Sequence, residues 1–176
     1  HFGQAELKAK SDVLVDREAD FRSLDLEQAA NLHVHWGEPT AGVNDKQLDA
    51  IALVTITRRF DKHQVIILAE EEGDALFIIS SGQVKVSIVS EDGREVILSL
   101  LGTGSVFGEL SLLDGKPRSA NVVATENTDL YMLRRSDFLQ LVYKVPQIAV
   151  GLLAELAARL RKTDRKIGGL ALLDVT

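Results

Sequence analysis

Short runs of β-branched and other apolar residues recur through the middle of the chain, roughly ten residues apart. Turn-forming residues such as Gly82 and Gly93 separate most of these runs. This spacing is typical of an antiparallel sandwich or barrel, whereas a parallel sheet needs crossover helices between its strands. The pattern therefore predicts an antiparallel β domain with strands at residues 54–60, 65–68, 76–79, 84–89, 96–101, 122–124 and 130–133.

The run at residues 84–88 alternates most clearly between apolar and polar residues. Val84, Val86 and Ile88 alternate with Lys85 and Ser87. Successive side chains of a strand point to opposite faces of a sheet. We therefore expect the three apolar residues to be buried and the two polar residues to face solvent.

Helical periodicity flanks the strands on both sides. A helix is predicted over residues 44–53, before the first strand. After the last strand, Ser136 is expected to cap a helix that runs to about Tyr143. Pro146 is expected to open a longer helix that continues to about Leu173, because proline fits the first turn of a helix.

The longer helix carries apolar residues at alternating spacings of three and four. This heptad pattern predicts a coiled-coil seam of about three heptads, and one polar residue, Thr163, interrupts it. Two interpretations stay open: the stripe packs against the β domain, or it forms a dimer interface. The seam residues are Leu153, Leu156, Leu160, Thr163, Ile167 and Leu170.

Composition and charge exclude several classes of protein. The chain has no cysteine, which excludes disulfides and cysteine-held zinc or iron–sulfur clusters. Residues 1–50 hold 10 acidic and 5 basic residues, and residues 51–176 hold 16 and 15, so neither part has the basic excess of a nucleic-acid-binding surface. No apolar run approaches the ~20 residues of a membrane span, so we expect a cytoplasmic protein without a membrane partner.

The segment at residues 104–120 carries the candidate chemistry. Gly108 permits close approach of a ligand, Glu109 can accept from a sugar hydroxyl, and Ser119 can donate a hydrogen bond. Arg118 has the planar fork that grips two phosphate oxygens. These residues predict a sugar-phosphate pocket. On chemistry alone, a glycine-rich turn with a surface salt bridge between Glu109 and Arg118 is an equal alternative.

The motif Phe107-Gly108-Glu109-Leu110, followed by Arg118-Ser119-Ala120, resembles the phosphate-binding cassette of cyclic-nucleotide-binding domains. Residues 73–84 are similar to the glycine-containing hairpin of that family. Residues 166–176 are similar to the dimerisation helix and hinge of bacterial transcription regulators of the catabolite activator and fumarate–nitrate regulator family. The resemblance implies a mainly β fold with flanking helices, an antiparallel jelly roll followed by a long C-terminal dimerisation helix.

The resemblance also implies roles for individual residues. Arg118 and Ser119 would bind the cyclic phosphate, and Glu109 would bind the ribose 2′-hydroxyl. Further ligand contacts carried over from the family are Gly108, Leu110, Ala120, Leu98, Ser99, Arg159, Thr163 and Asp164. Asp164 departs from the serine that enterobacterial members of the family have at this position, so adenine and guanine both stay open as the base.

The same resemblance divides the chain into four parts. These are an acidic N-terminal extension at 1–41, a β-roll at 42–145, the dimerisation helix at 146–173 and the start of a hinge at 174–176. The family continues after the hinge into a helix-turn-helix domain. We therefore expect a chain cut at the hinge, which would contact DNA only through that missing domain.

The implied function is sensing of a cyclic nucleotide, most readily cyclic AMP with cyclic GMP as the second candidate, by a homodimeric regulator. We expect no cofactor, no metal and no catalytic residue, since His1, His33, His35 and His63 are scattered and no catalytic set is credible. The alternative is a regulatory cyclic-nucleotide-binding module of a protein that does not bind DNA, such as an enzyme, a channel or a protein-interaction sensor.

Overall fold

A computed structural model describes residues 54–173, and the side chains of residues 54–169. The predictions for residues 1–53, the side chain of Leu170 and the hinge residues 174–176 lie outside this range. The eight strands are β1 Ile56–Phe60, β2 Val65–Ile67, β3 Ala75–Ser81, β4 Gln83–Val89, β5 Glu95–Gly102, β6 Val106–Phe107, β7 Asn121–Ala124 and β8 Thr128–Arg134. The three helices are α1 Glu109–Asp114, α2 Arg135–Lys144 and α3 Gln147–Leu173.

The strands form two four-stranded sheets, and every strand pairing is antiparallel. The first sheet has the order β1-β8-β3-β6 and the second has the order β2-β7-β4-β5. This arrangement confirms the predicted antiparallel β fold with flanking helices and a long C-terminal helix.

Strand β3 explains how one sheet serves two cores. Leu76 and Ile78 belong to a cluster shared with α2 and the start of α3, whereas Phe77 and Ile79 belong to a second cluster with residues of β4 and β7. All four side chains are buried. Since successive side chains point to opposite faces, an unbroken apolar run identifies a strand covered on both sides.

The alternation expected for residues 84–88 is wrong beyond Val86. Ser87 is 1% exposed and Ile88 is 39% exposed, the reverse of the expectation. Strand β4 pairs with β7 without a register shift as far as Ser87, so its side chains keep alternating between the two faces. Ser87 is buried although it shares a face with Lys85, and both side chains donate to the carboxylate of Glu95. A β-bulge lies in the neighbouring strand β5, where Leu98 is an extra residue between Ile97, which pairs with Ser87, and Ser99, which pairs with Val86.

Two other expectations need correction. Ser136 does not cap α2: the helix begins at Arg135, the cap position is Arg134, and no side chain caps it. Because β8 leads into α2 without a loop, the first N–H of the helix donates instead to the carbonyl of Asp74, at 2.6 Å. The short strand β6 was not predicted.

Helix α3 begins at Gln147, immediately after Pro146, and reaches Leu173 as expected. Ile148 and Leu152 are buried against the first core cluster, and Leu156 packs against it. Leu153, Leu160 and Ile167 are 60–63% exposed, so in the single chain these seam residues do not pack against the β domain. Within residues 54–173, no single helix is long and apolar enough to cross a membrane, and the one pair that meets the criterion jointly, α2 with α3, is bent by 113°.

Candidate ligand-binding site

A cavity of about 500 Å³, including its open mouth, lies between the second sheet and the segment around α1. Its apolar wall comes from both sheets, and its polar groups come from the residues around α1, from Ser99 and from α3. The apolar lining residues are Ile67, Val86, Leu101, Phe107, Ala120 and Val122. Small-molecule sites commonly combine apolar walls with a few polar groups in this way.

Local geometry fixes the segment that carries the cassette motif. Gly108 has a φ of 78° and precedes α1, and Gly115 has a φ of 69° and ends it. Both angles lie in the left-handed region that favours glycine. A Cβ on Gly108 would lie 2.9 Å from Nη1 of Arg118, so Gly108 provides both the turn and the room for this arginine.

Arg118 is buried at the back of the cavity. Its Nη1 donates to the carbonyl of Gly108 at 2.6 Å and its Nη2 donates to the carbonyl of Ala75 at 2.7 Å. Burial lowers the pKa of Arg118, while the charges of Asp74 and Glu109 oppose that shift. A guanidinium stays charged in proteins and has five N–H donors, so donors remain for an anion in the cavity.

Glu109 is the first residue of α1 and is 4% exposed. Its Oε1 accepts a hydrogen bond from Nη1 of Arg159 at 3.1 Å, whereas Oε2 has no donor among the described residues. Arg159 also donates to the carbonyl of Val106 and to Glu155. Arg159 therefore connects α3 to both β6 and α1.

The alternative interpretation of the motif, a surface salt bridge between Glu109 and Arg118, is wrong. Both side chains are buried, Glu109 pairs with Arg159, and Arg118 donates to backbone carbonyls. The cavity has two guanidinium groups and one carboxylate among its lining residues. Its charge balance suits an anion that also carries hydroxyl groups.

The structure brings most of the sequence-predicted ligand contacts to this cavity. They are Gly108, Glu109, Leu110, Arg118, Ser119, Ala120, Ser99 and Arg159. Leu98, Thr163 and Asp164 are exposed and do not line it in the single chain. Thr163 donates its hydroxyl to the carbonyl of Arg159, and the carbonyl of Leu98 accepts from Lys166 at 3.3 Å.

Several residues of the site were not singled out from the sequence. From the sequence, the carbonyl of Ala75 has no predicted role, and Gly73 belongs only to the predicted hairpin. A Cβ on Gly73 would overlap the guanidinium of Arg118. The stacked rings of Phe77 and Phe107, 5.2 Å apart, support the floor of the cavity. No group of three or more histidine or acidic residues is placed to hold a metal ion within residues 54–169.

Comparison with known proteins agrees with this geometry. The sequence profile of the cyclic nucleotide-binding domain matches residues 57–144. The chain belongs to the cyclic nucleotide-binding domain family. In this family it is 39% identical over 127 residues to the "Cyclic AMP receptor protein" of Thermus thermophilus, which covers 72% of this chain and 58% of the relative.

Solved structures of cyclic nucleotide-binding proteins give the same fold. The Thermus thermophilus catabolite activator protein superposes with a TM-score of 0.68 at 37% identity, over 76% of this chain and 63% of that chain. The regulatory domain of Toxoplasma gondii PKA, solved with cAMP, superposes with a TM-score of 0.61 at 27% identity, over 67% and 46%. The chain thus spans about three fifths of the length of these bacterial relatives. It is also 38% identical over 119 residues to the "cAMP-activated global transcriptional regulator CRP" of Escherichia coli O157:H7, which covers 67% of this chain and 57% of the relative.

Proposed function

We propose that this chain binds cyclic AMP and that binding regulates a homodimeric, cytoplasmic transcription regulator. The observation that carries the ligand assignment is the unpaired Oε2 of the nearly buried Glu109, in the same cavity as the free donors of Arg118. A carboxylate acceptor and a guanidinium donor are what a sugar hydroxyl and a cyclic phosphate need.

The exposed hydroxyl of Ser119 adds a donor at the cavity, beside Arg118. A phosphate with one negative charge would accept from both residues without displacing Arg118 from its two carbonyls. The apolar wall, which includes Val86 and Leu101, suits the face of a purine. The name of the Thermus thermophilus relative, cyclic AMP receptor protein, supports cyclic AMP as the ligand.

Signal transmission in this proposal runs through Arg159. It is the residue of α3 that contacts both β6 and Glu109, so a ligand that engages Glu109 changes the contacts that hold α3. A ligand shifts the equilibrium between two arrangements of α3 only by the difference in its affinity for them. Thr163 and Asp164, on the next turn of α3, would contact the purine bound to the partner subunit.

Titration calorimetry with cyclic AMP and cyclic GMP tests the ligand. The variants are Arg118→Lys, which keeps the charge but loses the planar fork, and Ser119→Ala, which alters an exposed side chain. We expect each to weaken cyclic AMP binding, Arg118→Lys by about tenfold or more, equivalent to about 1.4 kcal/mol. Lys116→Ala is the matched control, since Lys116 is exposed in the same loop and does not line the cavity.

A preference for cyclic GMP would keep the site and transfer purine selection to Asp164. Equal binding by Arg118→Lys and the unaltered chain, with both folded by thermal melting, would contradict the proposed site.

The alternative output is a regulatory module of a protein that does not bind DNA. Its specific support is the likeness to the cAMP-bound regulatory domain of Toxoplasma gondii PKA. The genomic sequence after codon 176 distinguishes the two, because a helix-turn-helix domain there would favour the transcription regulator.

A further inference from the structure

The second half of α3 presents basic residues on the side opposite the seam. Arg161, Lys162 and Arg165 are exposed, and we call these three residues the basic face. At 3.6 residues per turn they point away from the side on which Leu160 and Ile167 lie. None of the three forms a salt bridge with another described residue.

Neither the β domain nor a seam partner covers this face. Lys166, which contacts the carbonyl of Leu98, marks the side of α3 turned towards β5. A second copy packed on Leu160 and Ile167 would occupy the seam side. Positive charges so close together repel one another and attract a negatively charged partner.

The chain itself contains a segment of opposite charge. Residues 12–27, which we call the acidic segment, hold six acidic residues and two basic residues. The chain as a whole has a formal net charge of −6. Such a chain repels nucleic-acid phosphates, so the charges favour its own acidic segment over a nucleic acid as the occupant of the basic face.

The path of the chain permits this contact. Val54 packs against the cluster that contains Ile148 and Leu152, and Leu156 packs against the same cluster. Residue 54, where the described part of the chain begins, therefore packs on the same core cluster as the first half of α3. Arg161 lies roughly 8 Å beyond Leu156 along the helix at about 1.5 Å per residue. The residues numbered 28–53 span several times that distance when extended.

We propose that the acidic segment docks on the basic face of α3 of the same chain. Single exposed ion pairs are weak, so several charges act together. The contact also depends on the high effective concentration of a segment that belongs to the same chain. Added salt screens it. The acidic segment thereby neutralises the outer surface of the helix that Arg159 connects to the ligand cavity.

Paramagnetic NMR tests the contact directly. The chain has no cysteine, so a Ser23→Cys variant carries one nitroxide label in the acidic segment. At about 20 mM salt the Debye length is roughly 20–30 Å, so the charges on the two segments are only weakly screened. We therefore expect broadening of the amide signals around Arg161 and Arg165. We expect the broadening to disappear at high salt and in the variant Arg161→Glu/Lys162→Glu/Arg165→Glu.

Two further variants separate a specific contact from a change in net charge. Lys62→Glu/Lys116→Glu/Lys144→Glu changes the charge equally at other exposed positions and is expected to keep the broadening. Adding Asp16→Lys/Glu18→Lys/Asp20→Lys to the reversed basic face is expected to restore it. Broadening that is absent at low salt, or that survives reversal of the basic face, would overturn the proposal.

The same variants address other occupants. A mixture of isotope-labelled chain with nitroxide-labelled, isotope-free chain reports only contacts between chains, and broadening there as strong as in the doubly labelled chain would contradict docking within one chain. Retention of a DNA duplex by the basic face, with no contact from the acidic segment, would also overturn the proposal.

Discussion

Gly73 leaves the space that the Arg118 side chain occupies. An ideal Cβ on Gly73 would lie 1.9 Å from Nε of Arg118 and 2.2 Å from its Cζ. These distances are shorter than any non-bonded contact, so the side chain of Arg118 depends on a glycine in the loop before β3. The group proposed to bind the phosphate is thus placed by a residue outside the cassette motif.

Replacing Gly73 by alanine should therefore displace the guanidinium. We expect loss of the hydrogen bonds from Arg118 to the carbonyls of Gly108 and Ala75, a lower melting temperature and at least about tenfold weaker cyclic AMP binding. Calorimetry and thermal melting measure both effects. Gly102→Ala is the control, because a Cβ there meets no atom within 4 Å. Unchanged affinity in Gly73→Ala would contradict the dependence of Arg118 on this glycine.

The link between Arg159 and Glu109 should stabilise the ligand-free fold. Arg159→Ala leaves a carboxylate whose side chain is 5% exposed without its counter-charge. We expect a loss of about 1–3 kcal/mol in the free energy of unfolding, measured with denaturant, because a buried charge is left unpaired.

Glu155→Ala provides the comparison for this loss. It removes the other carboxylate paired with Arg159, which is 45% exposed, and should cost about 0.5 kcal/mol or less. Equal losses in Arg159→Ala and Glu155→Ala would show that burial of Glu109 adds nothing to the pair.

The sequence predicts the strands well where burial gives a clear signal. Seven of the eight strands correspond to apolar runs, and β3, covered on both faces, is the clearest of them. Strand β6 has only two residues, and it is a strand because Phe77 and Ile78 of β3 pair with it. Pairing across the fold, which no local pattern records, defines β6.

The bulge at Leu98 could not be predicted either, because pairing between strands defines it. Residues 96–98 and 100–101 of β5 are all apolar, so β5 itself has no alternation that could reveal an extra residue. Only its pairing with β4 shows the change of register between Val86 and Ser87. The cassette residues Glu109 and Arg118 could be predicted because their motif is local. The carbonyl of Ala75, 43 residues from Arg118, could not.

Glu95, the first residue of β5, should make the stability of the fold depend on pH. Hydrogen bonds from Lys85 and from the buried Ser87 lower the pKa of Glu95 from its ordinary value of 4.5. A carboxyl whose pKa is lowered by folding stabilises the fold above its ordinary pKa, and this stabilisation is lost as the pH falls through the lowered value. The free energy of unfolding, measured with denaturant from about pH 7 to about pH 3, reports this loss of stability.

We expect the difference in stability between the unaltered chain and Glu95→Gln to shrink towards acidic pH. Glu91→Gln, an exposed change in the same hairpin, serves as the control. A difference that stays constant over this range would contradict a role for the ionised carboxylate. Ser87→Ala should reduce the difference, because it removes one of the two side-chain donors to Glu95.

The exposed seam on α3 gives the sharpest test of the proposed homodimer. Leu153, Leu160 and Ile167 repeat every seven residues, and each is at least 60% exposed in the single chain. Covering such a stripe with a second copy is favourable because apolar area leaves water.

Leu160→Glu should therefore yield a particle of 19.2 kDa in sedimentation velocity, half the mass of the unaltered dimer, without unfolding. Ala158→Glu adds the same charge on the opposite side of the helix and should stay dimeric. If Leu160→Glu remained dimeric, the two copies would have to meet elsewhere. The exposed apolar residues of β5, Val96, Ile97 and Leu100, would then be the surface to alter next, since they are 50–56% exposed.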